Sequence, residues 1–216
     1  LLLLHLQFLD ILQTQEVYNM KTPFEITCVI LSGGKSSRMG EDKSLLPFSS
    51  SKTLIQYQYD RLKPYFKNIY ISSKVDKFDF LEKDSLILDE NKDVFSPILA
   101  LDTIFEKFKN QKIFIITVDT PFVSVDSIYK LIKESKDYDI CVAQTEKTHN
   151  LCGVFSSNIS STIKTMIQND IHKIGYLLNN NIHKILNFPN DGEFININNK
   201  DDYKVALNNI NFAYNN

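Results

Sequence analysis

The sequence predicts an α/β fold, a three-layer α/β/α sandwich around a Rossmann-like, mostly parallel sheet. Three observations predict it. Short apolar runs rich in β-branched residues, such as Cys28 to Leu31 and Ile113 to Ile116, lack the polar alternation of a half-exposed strand and suit strands covered on both faces. Between such runs lie stretches with apolar residues at helical spacing, so strand and helix patterns alternate from Met20 to about Lys136. Glycines, hydroxyls and carboxylates collect where the apolar runs end, the edge at which open α/β sheets bind ligands.

The first predicted strand, Ile26 to Leu31, is broken by Ser32, Gly33 and Gly34. Glycine lets a backbone turn sharply and approach a ligand closely, so that successive N–H groups converge on phosphate oxygens. Arg38 and Lys43 bring two cations to the same turn, and Gly40 permits a second bend between them. A guanidinium forks onto two phosphate oxygens while an ammonium acts as a mobile point charge, a pairing suited to a triphosphate. Two familiar phosphate loops do not fit. A P-loop needs Lys and Ser/Thr directly after its last glycine, whereas Gly40 is followed by Glu41 and Asp42, and no GxGxxG is present.

Lys52 to Phe66, with Leu54, Ile55, Tyr59, Leu62 and Phe66 at helical spacing, predicts the first crossover helix. Asn68 to Ser73 predicts a second strand with Ser72 at its carboxyl end, and Ser85 to Asp89 a third that ends on a carboxylate. Ser96 and Pro97 then read as the N-cap and first residue of a helix. Lys112 to Asp119 is the clearest strand, again closed by a carboxylate, and Pro121 fixes the turn behind it. The remainder reads as strands at 138–143 and 151–155, helical pieces at 158–169 and 172–180, strands at 182–187 and 193–197, and a last helix from about 200. His149 lies before the second of those strands; it could meet a phosphate or pterin group, but a lone loop histidine is more often solvated, and it is not counted among the site residues.

The chain has 216 residues, 43% of them hydrophobic and 23% charged, which predicts one domain with a full core over 20–216. A formal net charge of -2 gives no basic field, so nucleic acid is excluded as a partner and any phosphate site must be local. Cys28, Cys141 and Cys152 lie in apolar runs without CxxC spacing and read as reduced core thiols, which predicts a cytoplasmic protein. Residues 1–19 hold an apolar block too short to span a bilayer, with no basic start or small-residue cleavage site. No membrane association is expected, and 1–19 reads either as an extension ahead of catalytic sequence that begins near Met20 or as an amphipathic helix that docks on the domain or a partner.

The run LSGGKSSRMGEDK, Leu31 to Lys43, resembles the nucleotidyltransferase signature L-(A/S)-G-G-x-S-x-R-M-G-x-D-K, and within that superfamily the molybdenum cofactor guanylyltransferases. The resemblance implies a fold of the nucleotide-diphospho-sugar transferase type, with GTP and molybdopterin as substrates and Mg²⁺ as cofactor. Molybdoenzymes or other proteins of cofactor biosynthesis are the implied protein partners. Asp119-Thr120-Pro121 resembles the family's (C/V)-D-x-P segment, which makes Asp119 the metal ligand and, with Arg38 and Lys43, a catalytic residue. The GTP-binding residues implied are Leu31, Ser32, Gly33, Lys43, Ser72, Asp89 and Asp119. Ser72 stands where the family usually has Asn, and SPILA, Ser96 to Ala100, replaces Gly-Pro-Leu-Ala-Gly with the loss of two glycines. Phe194 to Asn198 resembles the late F-x-N-(V/I)-N-T-P-E segment, which puts Asn198 near the metal or phosphates.

Three other readings stay open on sequence. A nucleotidyltransferase could use CTP, or act on a sugar or polyol phosphate, through the same loop. The chain could instead bind GTP without catalysis and deliver the cofactor, or be a purely structural α/β domain. All enzyme readings require the glycine bend and Asp119 to face one crevice.

Overall fold

The computed structural model describes residues 22–34, 39–89, 94, 96–189 and 192–214. The extension read over 1–19 and the cation Arg38 lie outside the described residues. The strands are β1 Thr27–Leu31, β2 Ile69–Ser73, β3 Leu86–Leu88, β4 Lys112–Thr117, β5 Ile140–Gln144, β6 Thr148–Ser156 and β7 His183–Asn187. The helices are α1 Leu54–Leu62, α2 Pro97–Lys107, α3 Val125–Glu134, α4 Ser160–Gln168, α5 Ile174–Asn179 and α6 Lys200–Tyr214.

The sheet runs in the order β3-β2-β1-β4-β6-β5-β7. β1 pairs in parallel with β2 on one side and β4 on the other, β2 with β3, and β5 with β7, so the expected mostly parallel sheet is present. β6 is the antiparallel member, against both β4 and β5. The link from β5 to β6 is a tight turn closed by Thr145 N–H to Lys147 O at 3.0 Å, too short for a parallel crossover.

Alternate residues of β1 feed two cores, as the period of a strand dictates. Cys28 and Ile30 pack with Leu54, Ile55 and Leu62 of α1, Ile128 and Leu131 of α3, and Ala206 and Ile210 of α6. Val29 and Leu31 pack with Ile98, Leu101 and Ile104 of α2, Ile163 and Met166 of α4, and Leu177 of α5. Two helical layers therefore cover the two faces of the sheet. The three cysteines are free and buried, and burial raises every one of their thiols, Cys141 to about 11 and Cys152 to about 12. They are protonated packing residues. Among the described residues no helix is long and apolar enough to cross a membrane.

The structure differs from the sequence expectations in the second half. Residues 193–197 form no strand. Gly192–Phe194 is a turn of 3-10 helix, and the segment after it crosses the end of β4, bonded to it by Ile197 N–H to Asp119 O at 2.8 Å. The buried pair is Phe194 and Ile197, three residues apart, so burial there does not follow the alternation of a strand and needs no ladder. His149 is no solvated loop residue, because β6 begins at Thr148. It is buried, stacks on Phe194 at 4.8 Å between ring centres, and lies 2.8 Å from Thr145 Oγ1 through Nε2. Gly153 is fixed by contact rather than by a turn: a Cβ there would sit 2.1 Å from Cys141 O, beside the register shift between β5 and β6.

Candidate active site

β1, β2, β3 and β4 all end along one edge, and the residues at and just beyond those ends carry the polar chemistry. A cleft of about 340 Å³ opens there, lined by Leu31, Gly33 and Gly34 at the end of β1, Ser72 of β2, Asp89 after β3 and Asp119 after β4, with Lys43 reaching in from the glycine loop. The glycine bend and the carboxylate closing KIFIITVD thus share one crevice. Strand order spreads the groups across it: Asp89 and Ser72 flank one side, the glycines the middle, and Asp119 the other side. Of the residues named from sequence, Ser32 does not line the cleft. Its amide donates to Ser72 O at 2.8 Å, and its Oγ is buried without a hydrogen-bond partner among the described residues. Among the described residues of the bend, Gly33 and Gly34 line the cleft and can present their amides to an anion.

At the Asp119 side, Lys43 Nζ donates to Asp119 Oδ2 and, at 3.3 Å, to Ile197 O. Both side chains are 14% exposed. Asp119 Oδ1 is buried and has no hydrogen-bond partner among the described residues. A buried carboxylate oxygen left bare is costly, and it is the kind of atom that a bound cation satisfies. Lys43 is aimed by its predecessor. Asp42 caps the short 3-10 turn Lys43–Leu45, accepting from Ser44 N–H at 3.0 Å and Ser44 Oγ–H at 2.7 Å, and pairs with Lys77 through its other oxygen. Burial pushes the Asp42 carboxyl up, but the Lys77 and Ser44 hydrogen bonds outweigh it and hold it below its ordinary value.

Gln58 is a support that the sequence reading missed. It sits fully buried in the apolar stripe of α1 and donates through Nε2 to Thr117 O at 3.3 Å and Thr120 O at 3.2 Å, clamping the turn that carries Asp119. Arg61 Nε donates in turn to Gln58 Oε1 at 2.6 Å. The signal was a lone polar residue one helical turn from Leu54 and Leu62. Asn198, expected near the metal or phosphates, does not line the cleft, and its backbone N–H donates to Asp202 Oδ2 at 2.8 Å. In the same segment Asn196 Oδ1 is buried without a hydrogen-bond partner among the described residues.

At the other side Ser72 Oγ donates to Asp89 Oδ1 at 3.0 Å, and Asp89 N–H is bound to Ser73 O at 2.9 Å. A Cβ added at Gly33 would meet Asp89 Oδ2 at 3.7 Å, an ordinary contact distance, so the carboxylate borders the glycine bend without excluding a side chain there. Burial raises the Asp89 carboxyl above its ordinary value, against the pull of Ser72 and of Lys74.

Residues 28–183 match the family described as the MobA-like NTP transferase domain. The chain belongs to that family. It is a nucleotidyltransferase of molybdenum cofactor biosynthesis. A molybdenum cofactor guanylyltransferase of Campylobacter jejuni subsp. doylei is 39% identical over 185 residues, which span 83% of this chain and 94% of the relative. The Helicobacter pylori protein of the same name is 32% identical, over 87% of this chain and 96% of its own. Among solved structures, molybdopterin-guanine dinucleotide biosynthesis protein A from Archaeoglobus fulgidus superposes with a TM-score of 0.72 at 19% identity, covering 86% of this chain and 99% of that one. That likeness bears on the fold, a nucleotidyltransferase sheet with helices on both faces.

Within this MobA-like transferase the elevated Asp89 carboxyl has a consequence for stability. The folded chain holds the Asp89 proton more tightly than the unfolded chain does, so this group favours folding most below the ordinary carboxylate range. That contribution is lost as pH rises through the folded-state value, and near neutrality Asp89 opposes folding. Asp89→Asn is therefore expected to raise the thermal midpoint at neutral pH, with the gain shrinking in acid, since Asn Oδ1 can still accept from Ser72. Calorimetry across pH checks both the gain and its dependence on acid.

Proposed function

We propose that this chain transfers GMP from GTP to the terminal phosphate of molybdopterin, forming molybdopterin guanine dinucleotide and releasing pyrophosphate. The observation that carries the reading is the meeting, in one cleft, of the glycine bend, the Lys43 ammonium and an Asp119 oxygen with no hydrogen-bond partner among the described residues. The names borne by the Campylobacter and Helicobacter relatives supply the donor and acceptor.

The triphosphate lies over the glycine bend, where the Gly33 and Gly34 amides meet its oxygens, and the nucleoside reaches toward Ser72 and Asp89. A phosphate oxygen of molybdopterin attacks the α-phosphorus in line. The new phosphorus–oxygen bond forms as the bond to the bridging oxygen breaks, and its electron pair leaves on pyrophosphate. Lys43 neutralises that growing charge, and the Arg38 guanidinium is assigned the same task. No covalent intermediate on the protein is needed.

The donor set fits Mg²⁺. Among the described residues no group of three or more His, Cys, Asp or Glu side chains could cage a metal. Magnesium does not require one, since it is held by one or two carboxylates, substrate phosphates and water. Asp119, with Oδ1 bare, would hold it. The ion supplies positive charge to the phosphate oxygens when bound. The test is pyrophosphate release by the full chain with molybdopterin and each of the four nucleoside triphosphates. Release with GTP, and only when molybdopterin is present, is expected. Release with CTP instead, or GTP binding without release, would replace this reading.

A further inference from the structure

A second polar array meets the cleft at its nucleoside side. Ser96 lines the cleft along with Asp89 and caps α2, its Oγ accepting from Ile98 N–H at 3.2 Å. The same Oγ lies 2.8 Å from His172 Nδ1, and His172 Nε2 lies 2.8 Å from Asp170 Oδ1. His172 and Asp170 come from the turn after α4, so the second half of the chain reaches back to touch this side of the site. The family segment that SPILA resembles carries glycine where this chain has Ser96, with no side chain to present.

The three groups fix one another's hydrogens. A carboxylate only accepts, so the ring nitrogen facing Asp170 carries the hydrogen. In neutral imidazole the other nitrogen, Nδ1, is then an acceptor and takes the Ser96 hydroxyl hydrogen. With that hydrogen drawn toward His172 and one lone pair facing Ile98 N–H, Ser96 has only a lone pair left for the cleft. We propose that Asp170 and His172 are positioning residues that hold Ser96 as an obligate hydrogen-bond acceptor beside Asp89, selecting a nucleoside whose base edge carries N–H donors, guanine over adenine. Guanine offers a ring N–H and an amino group to such acceptors. Adenine sets a ring lone pair against them, and a fixed acceptor facing a lone pair discriminates more than a free hydroxyl able to turn and donate. The inference deepens the guanylyltransferase reading and rests on it.

The test is displacement of a fluorescent GTP analogue from the full chain by GTP and by ATP, read as the ratio of the two affinities. His172→Ala frees the hydroxyl and is expected to lower the preference for GTP about tenfold, as loss of one fixed polar contact does. Ser96→Ala lowers it similarly, and the double variant matches Ser96→Ala alone, because His172 acts only through that hydroxyl. Asp170→Gly lowers the preference in the same direction without threatening the fold, since the Asp170 carboxylate is exposed and its φ of 54° suits glycine. Unchanged ratios in His172→Ala and Asp170→Gly, or additive losses in the double variant, overturn the relay. Failure of the unmutated chain to bind any nucleoside triphosphate overturns the guanylyltransferase reading and the relay with it.

Discussion

Asp119→Asn is expected to cut GTP-dependent pyrophosphate release about 10³-fold while leaving the thermal midpoint nearly unchanged. The substitution keeps shape and removes charge. Asn Oδ1 can still accept from Lys43 Nζ, Asp119 O still receives Ile197 N–H, and Gln58 still clamps Thr117 and Thr120, so the turn has no reason to move. The loss is confined to the anionic oxygen that has no hydrogen-bond partner among the described residues. A neutral amide in its place binds a divalent cation far more weakly, so the residual rate is expected to lose its dependence on magnesium concentration. Turnover measured across a magnesium titration, with melting curves alongside, checks this. A variant with wild-type magnesium dependence would remove Asp119 from the metal site.

How far this site could be read from the residues depends on where its information lies. β1 and β4 were legible because strands covered on both faces are apolar throughout, and the helix capped by Ser96 and opened by Pro97 stands where that pair placed it. Leu31, Gly33, Lys43, Ser72, Asp89 and Asp119 were legible as cleft residues for a related reason: strands that run in parallel deliver their carboxyl ends to one edge, so naming the ends names the cleft. Beyond β4 the pattern carried less. The run FININ has the period of a strand, but whether such a run joins a ladder depends on an open sheet edge beside it, which is tertiary information. His149 read as a loop residue because no local pattern shows that β5 and β6 meet through a tight turn that draws Thr148 to Asn150 into the sheet. The contact of Ser96 with His172 is invisible in sequence for the same reason, since the packing of α4 against α2 creates it.

Lys43→Ala is expected to lower kcat by about 10²-fold, the scale for one preorganised charge aimed at a transition state. The Lys43–Asp119 pair makes the magnesium response the informative part. The ammonium lies on Asp119 Oδ2, so it competes electrostatically with any cation that Asp119 would hold. Removing it should therefore slow the chemistry while leaving the magnesium concentration needed for half-maximal rate unchanged or lower. Were Lys43 only a brace for Asp119, its loss would loosen the carboxylate and raise that concentration, with the rate restored by excess metal. Lys43→Arg separates the two further: a guanidinium preserves the charge and can brace Asp119, yet its planar fork does not reproduce a compact ammonium held against both Asp119 and Ile197 O. A rate in Lys43→Arg that stays near that of Lys43→Ala, with the magnesium requirement unchanged, identifies the position of a point charge on the phosphates as what Lys43 contributes.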